Sequence, residues 1–168
     1  MVSAATGLDG FNKLSERQQM HLLFGVCSST IWARRVLAGA PFDSVDALLD
    51  RADRVLAELP DAEIDAALDG HPRIGAKVDN ASSAREQAAV STAGADVKAQ
   101  LAARNLEYDA KLGYVYLVCA SGRSAGELLA ILEDRLHNDP DTERRVMRNE
   151  LGKINRLRLE RLLSEPVA

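Results

Sequence analysis

Only one stretch of this chain, Tyr114 to Ala120 (Tyr-Val-Tyr-Leu-Val-Cys-Ala), has the composition of a β-strand. A lone strand has no neighbour to complete its ladder of hydrogen bonds, so it cannot build a sheet. Elsewhere apolar residues recur at helical spacing between short stops. The sequence therefore predicts an all-α chain: a single-domain helical bundle spanning residues 1–168, with one extended segment near Tyr114–Ala120. The punctuation described next divides it into about seven to nine helices.

Ser15-Glu16-Arg17-Gln18 is a capping-box pattern opening a helix with Met20, Leu23 and Phe24. A second helix runs through Trp32, Val36 and Leu37 and stops before Pro41. Asp43 or Ser44 caps a third, with Leu48, Leu49, Val55 and Leu56 on its inner side and Pro60 at its end. Asp61 starts a short fourth, which Gly70 terminates. Beyond the turn His71-Pro72-Arg73-Ile74-Gly75, Ser83-Ala84-Arg85-Glu86 opens another helix, and a longer one runs from Ala95 to Leu112, closed by Gly113. Ser124 and Glu127 cap a helix through Leu128, Ile131, Leu132 and Leu136, and the last starts near Pro140 and passes Leu162.

Composition narrows the function classes. Of 168 residues, 46% are hydrophobic, enough for a core without staples. With 25 acidic against 21 basic side chains the net charge is -4, which gives no footprint for nucleic acid and no basic run for a membrane surface. Two cysteines, Cys27 and Cys119, in apolar surroundings read as reduced core residues, not a disulfide framework. No stretch is long and apolar enough to span a bilayer, and the first ten residues lack the pattern of a signal peptide. The expected location is the cytoplasm.

Three places could carry chemistry. His71 follows a helix-ending glycine and precedes Pro72, so its ring sits on a short, stiff turn. Such a ring suits proton transfer near neutral pH, or simply a hydrogen bond to a helix end. Ser83 and Glu86 form a second capping box, which needs no catalysis to explain it. The same geometry places Ser83, Glu86 and Gln87 beside free N–H groups at a helix start, a site for an anionic or ureide-like ligand. On the last helix Arg158 falls inside the apolar stripe of Met147, Leu151, Ile154 and Leu162. A guanidinium there requires an internal partner such as the flanking Glu150, or else lines a cavity as an anion anchor.

A rival pattern is Gly122-Arg123-Ser124-Ala125-Gly126, the G-x-S-x-G of serine-hydrolase nucleophile elbows, with Ser124 as nucleophile. It lacks parallel strands, its histidine would have to be His137, and Ser124 already reads as a helix cap. The histidines (His21, His71, His137) and cysteines show no ligand spacing, so no metal site is expected. His21 reads as a packing residue among apolar neighbours.

In order, these pieces resemble one family along nearly the whole chain. They are Ser-Ser-Thr-Ile-Trp32-Ala, His71-Pro72-Arg73-Ile74-Gly75, Ser83-x-x-Glu86-Gln87, the run Lys111 to Ala120, and Glu150-x-x-Lys153-Ile154-x-x-Leu157-Arg158-Leu159. The family is the 2-oxo-4-hydroxy-4-carboxy-5-ureidoimidazoline (OHCU) decarboxylases, which complete the conversion of urate to (S)-allantoin. The resemblance implies an all-α fold, no metal or organic cofactor, a ureide substrate and a homodimer. It carries the catalytic role to His71, with Glu86 and Arg158. The pocket falls on Pro72, on Ser83, Ala84, Arg85, Glu86 and Gln87, and on the backbone of Val118, Cys119, Ala120, Ser121 and Gly122. Leu112 departs from the pattern, where an aromatic is commoner. Besides the hydrolase, a non-catalytic helical module that binds ureides without turnover is the competing class.

Overall fold

The computed structural model describes residues 7–68 and 88–164. Among these it contains nine helices and no strand, as the sequence predicts. The helices are α1 (Gly7–Lys13), α2 (Glu16–Val26), α3 (Thr30–Leu37), α4 (Val45–Glu58), α5 (Asp61–Leu68), α6 (Ala88–Ser91), α7 (Ala95–Leu112), α8 (Ala125–Arg135) and α9 (Pro140–Ser164). Gly70 and the capping box at Ser83 lie outside the described residues. The chain divides into two compact units, Met1–Gly70 with Gly152–Ala168, and His71–Leu151.

In the first unit the helix starts are set by side chains that satisfy orphan N–H groups. Ser15 and Gln18 form the reciprocal box at α2. Ser29 accepts from Trp32 N–H at α3, and Ser44, rather than Asp43, accepts from Ala47 N–H at α4. Trp32 is fully buried, and its indole N–H, which would be costly to leave unpaired, donates to the Ala52 carbonyl at 3.3 Å. Asn12 clasps the Phe42 peptide at both ends, donating to its carbonyl at 2.9 Å and accepting from its N–H at 3.1 Å. Gly152 on α9 leaves room for α4: a Cβ there would already touch Leu56 at 3.5 Å. On α2 the apolar face is narrower than expected. Leu23 is buried, but Phe24 and His21, three residues apart on one face, are exposed. His21 is therefore a surface residue and not a packing one; its apolar chain neighbours point elsewhere.

In the second unit α7 ends where expected. Gly113 adopts φ +79, and its N–H donates to the Asp109 carbonyl at 2.9 Å. That left-handed residue turns the chain out of the helix at little cost only because it lacks a Cβ. Residues 115–120, the stretch expected to be extended, form neither helix nor strand. Tyr116, Val118 and Ala120 alternate into a core with Leu101, Tyr108, Leu128 and Leu132. Tyr108 meets Tyr114 and Tyr116 edge-on, at ring separations of 6.0 and 5.4 Å. Leu112, the departure from the family pattern, packs against the same cluster.

Candidate functional site

Of the expected site residues, His71, Pro72, Ser83, Ala84, Arg85, Glu86 and Gln87 lie outside the described residues. Val118 to Gly122 fall in the second unit and Arg158 in the first.

The extended segment poses an accounting problem. Tyr116 to Ala120 are all buried, so every backbone N–H and C=O needs a partner, and among the described residues no neighbouring strand provides one. Side chains from two helices meet part of the need. Arg135 on α8 donates Nη1–H to the Leu117 carbonyl at 2.6 Å, and Glu150 on α9 accepts the Cys119 N–H at 3.3 Å. Tyr116 OH donates to the Leu128 carbonyl at 3.1 Å, tying the segment to α8. At its end the Arg123 N–H returns to the Ala120 carbonyl at 3.1 Å. Gly122 takes φ +77 at the third position of that turn, as a type II turn requires. What is left is specific. Among the described residues no hydrogen bond is made by the Val118 N–H, the Val118 C=O or the Ala120 N–H.

Arg135 is itself held by a buried network. Its guanidinium pairs with Glu143, which is fully buried and also accepts from Tyr108 OH at 2.6 Å and Asn138 at 3.0 Å. Burial and the Glu143 hydrogen bond push the Tyr108 phenol far above its ordinary range. Burial opposes the charge of Arg135, but Glu143 and the flanking tyrosines outweigh it and raise its pKa. Losing one partner of such a pair costs about 3–5 kcal/mol, because the other charge is left buried alone. Neither Arg135 nor Glu143 was singled out from sequence. The signal was the one used for Arg158: Leu128, Leu132 and Arg135 share a helical face, as do Glu143, Met147 and Glu150.

Arg158 is buried, as its place in the stripe predicts. Its Nη1–H donates at 3.1 Å to the carbonyl of Val26, the last residue of α2, where a cation favours the helix dipole. Cys27 next to it is fully buried, and burial pushes its thiol up to about 11 against the milder opposing pull of Asn155 and Arg158.

The elbow reading of Ser124 fails on geometry. Its hydroxyl accepts from Glu127 N–H at 3.1 Å, and the Glu127 carboxylate accepts from Ser124 N–H at 3.2 Å, the reciprocal cap of α8. His137 lies beyond the far end of that helix, roughly 16 Å or more away at 1.5 Å per residue. A groove of about 460 Å³ between α7 and α8 is lined by Arg104, Glu107, Lys111, Glu133, Leu136 and His137. Its charges serve one another: Arg104 pairs with Glu107 and Glu133, and Lys111 donates to the carbonyls of Leu136 and Asn138. Among the described residues no three His, Cys, Asp or Glu side chains gather as metal ligands, and no helix is long and apolar enough to cross a membrane.

Among the described residues the stretch from Tyr116 to Ala120 is buried without a neighbouring strand. The family pattern described as OHCU decarboxylase matches residues 12–160, and the chain belongs to that family. It is 34% identical over 84 residues, 50% of its length, to the uric acid degradation bifunctional protein TTL of Arabidopsis thaliana, where the match covers 26% of that protein. Over 80 residues, 48% of this chain, it is 31% identical to the 2-oxo-4-hydroxy-4-carboxy-5-ureidoimidazoline decarboxylase of Amia calva, covering 46% of it. The chain thus matches less than half the length of either relative. A crystal structure of OHCU decarboxylase in the presence of (S)-allantoin superposes with a TM-score of 0.76 and 26% identity, over 84% of this chain and 96% of that one.

Proposed function

We propose that this chain is a carboxy-lyase that converts OHCU to (S)-allantoin and carbon dioxide without a cofactor, as a step of urate degradation. The observation that carries the reading is the buried backbone edge of Val118 and Ala120. Its donor, acceptor and donor match the alternating C=O and N–H groups of a ureide, and the solved relative was crystallised with one.

The chemistry asks little of the protein. The carboxylate to be lost sits on a carbon beside a ring carbon doubly bonded to nitrogen. When the C–C bond breaks, its electron pair flows into that imine, so no pyridoxal or thiamine sink is needed. The enzyme supplies orientation, a proton relay and control of the face that is reprotonated. In this scheme His71 exchanges the proton of the hydroxyl or the developing ene-aminol, and Glu86 orients the ring or the imidazole. Arg158 anchors oxyanion or carbonyl groups, Ser83 and Gln87 read the ureido arm, and Pro72, Ala84 and Arg85 complete the contacts around them. The Val118–Gly122 backbone offers N–H and C=O groups that fit ureide edges. The reading of residues 1–168 as one domain, the cytoplasmic location and a homodimer belong to the same proposal.

A coupled assay starting from urate tests it. The uncatalysed route gives racemic allantoin, so optically active product from the wild-type chain is the expected result. Racemic product at the uncatalysed rate leaves only a binding module. His71→Asn is expected to lose turnover by at least about a hundredfold, and a variant at wild-type rate removes His71 from the mechanism. Arg158→Met with unchanged affinity and turnover returns that arginine to its bond with Val26.

A further inference from the structure

We infer that Glu150 is a positioning residue for the ureide: its carboxylate pins one edge of the extended segment so that the opposite edge is presented to substrate. The inference rests on the decarboxylase reading, and it concerns a residue on the far side of the segment from the ligand. In an extended chain the N–H and C=O of successive residues point to opposite edges. The Leu117 C=O and the Cys119 N–H therefore share one edge, and these are the two groups taken by Arg135 and Glu150. The Val118 N–H, the Val118 C=O and the Ala120 N–H share the other edge, where among the described residues none is bonded.

Two anchors are needed for a mechanical reason. In a sheet the neighbouring strands stop a strand from rolling about its long axis; among the described residues no such strand is present. The Tyr116 hydroxyl and the turn at Ala120 tie the two ends of the segment, and between them the bond at Leu117 fixes one point of the edge. A second bond two residues on, along the same edge, fixes an orientation, and Glu150 makes it. The carboxylate is buried, a position where it costs free energy unless it is bonded. Its bond reaches 31 residues along the chain. The reading also sorts the five backbone positions: Val118 and Ala120 face the ureide, and the Cys119 N–H serves the brace.

The test is kinetic, with OHCU generated in the cuvette from urate by urate oxidase and a hydroxyisourate hydrolase. Glu150→Ala is expected to raise KM about tenfold with kcat changed less than about threefold, because the lost bond weakens binding more than chemistry. Glu150→Gln keeps an acceptor for the Cys119 N–H and is expected to stay within about threefold of wild type in both parameters. A folded Glu150→Ala protein with wild-type KM overturns the inference, since a purely structural role would move the melting temperature alone. So does Glu150→Gln as impaired as Glu150→Ala. Should Glu150→Ala not fold, Glu150→Asp withdraws the carboxylate by one methylene and is expected to show the same rise in KM; an unchanged KM overturns the inference equally. A wild-type chain that does not consume OHCU fells the decarboxylase reading itself, a result distinct from an active wild type with unaffected variants.

Discussion

Cys27 shows what a single buried side chain does to the whole. Its thiol is held protonated up to about 11, above the ordinary thiol value of 9.0, because burial disfavours the thiolate more than Asn155 and Arg158 favour it. A group that binds its proton more tightly when folded stabilises the fold fully below its unfolded pKa and loses that contribution as pH rises to the folded one. Stability is therefore expected to fall between about pH 9 and 11, by up to about 1.4 kcal/mol per pH unit from this group. Urea unfolding of wild type and Cys27→Ala across that range checks it, the variant giving the flatter profile between pH 9 and 10. The raised phenols of Tyr108 and Tyr116 steepen the loss above pH 10 in both proteins. The same burial predicts a thiol inert to alkylating reagents in the folded chain at pH 8. At this scale the sequence was uneven. Arg158 was legible as a core-facing charge because its neighbours at helical spacing are apolar. His21 was misread, since apolar neighbours in the chain are not neighbours across a helix.

Helix boundaries were the most legible features, because a cap is written in residues that lie within one turn of each other. The boxes at Ser15 and Ser124, the Ser44 cap and the Gly113 stop all stand where the sequence puts them. What escaped was α1, seven residues opened at a positive-φ Gly7, and everything decided by partners far along the chain. Tyr108 finds Glu143 and Arg135 finds Leu117 across 35 and 18 residues, distances over which periodicity is silent. The expected site at His71 and Ser83–Gln87 rests on the family resemblance. Ser124 offers a test at this scale. Ser124→Ala removes one cap bond and is expected to cost about 1 kcal/mol in unfolding free energy while leaving turnover within about twofold. Loss of turnover in a folded Ser124→Ala protein would revive the hydrolase elbow.

For the molecule as a whole, the family pattern runs unbroken from residue 12 to 160, across both compact units. The homodimer proposed from the family resemblance is expected to sediment at twice the 18.2 kDa of one chain. Sedimentation velocity across a dilution series checks this, and a single species at the mass of one chain would dismiss the dimer.

The edge at Val118, unpaired among the described residues, has one more consequence. An exposed strand edge is a template on which other polypeptides can grow, a standing hazard of aggregation. Here Val118 and Ala120 are almost wholly sheltered from solvent, 2% and 4% exposed. Another backbone, with side chains on both faces and further residues at each end, is too bulky to dock at that depth. Depth alone thus gives this segment the protection that other proteins obtain by charging or covering an edge.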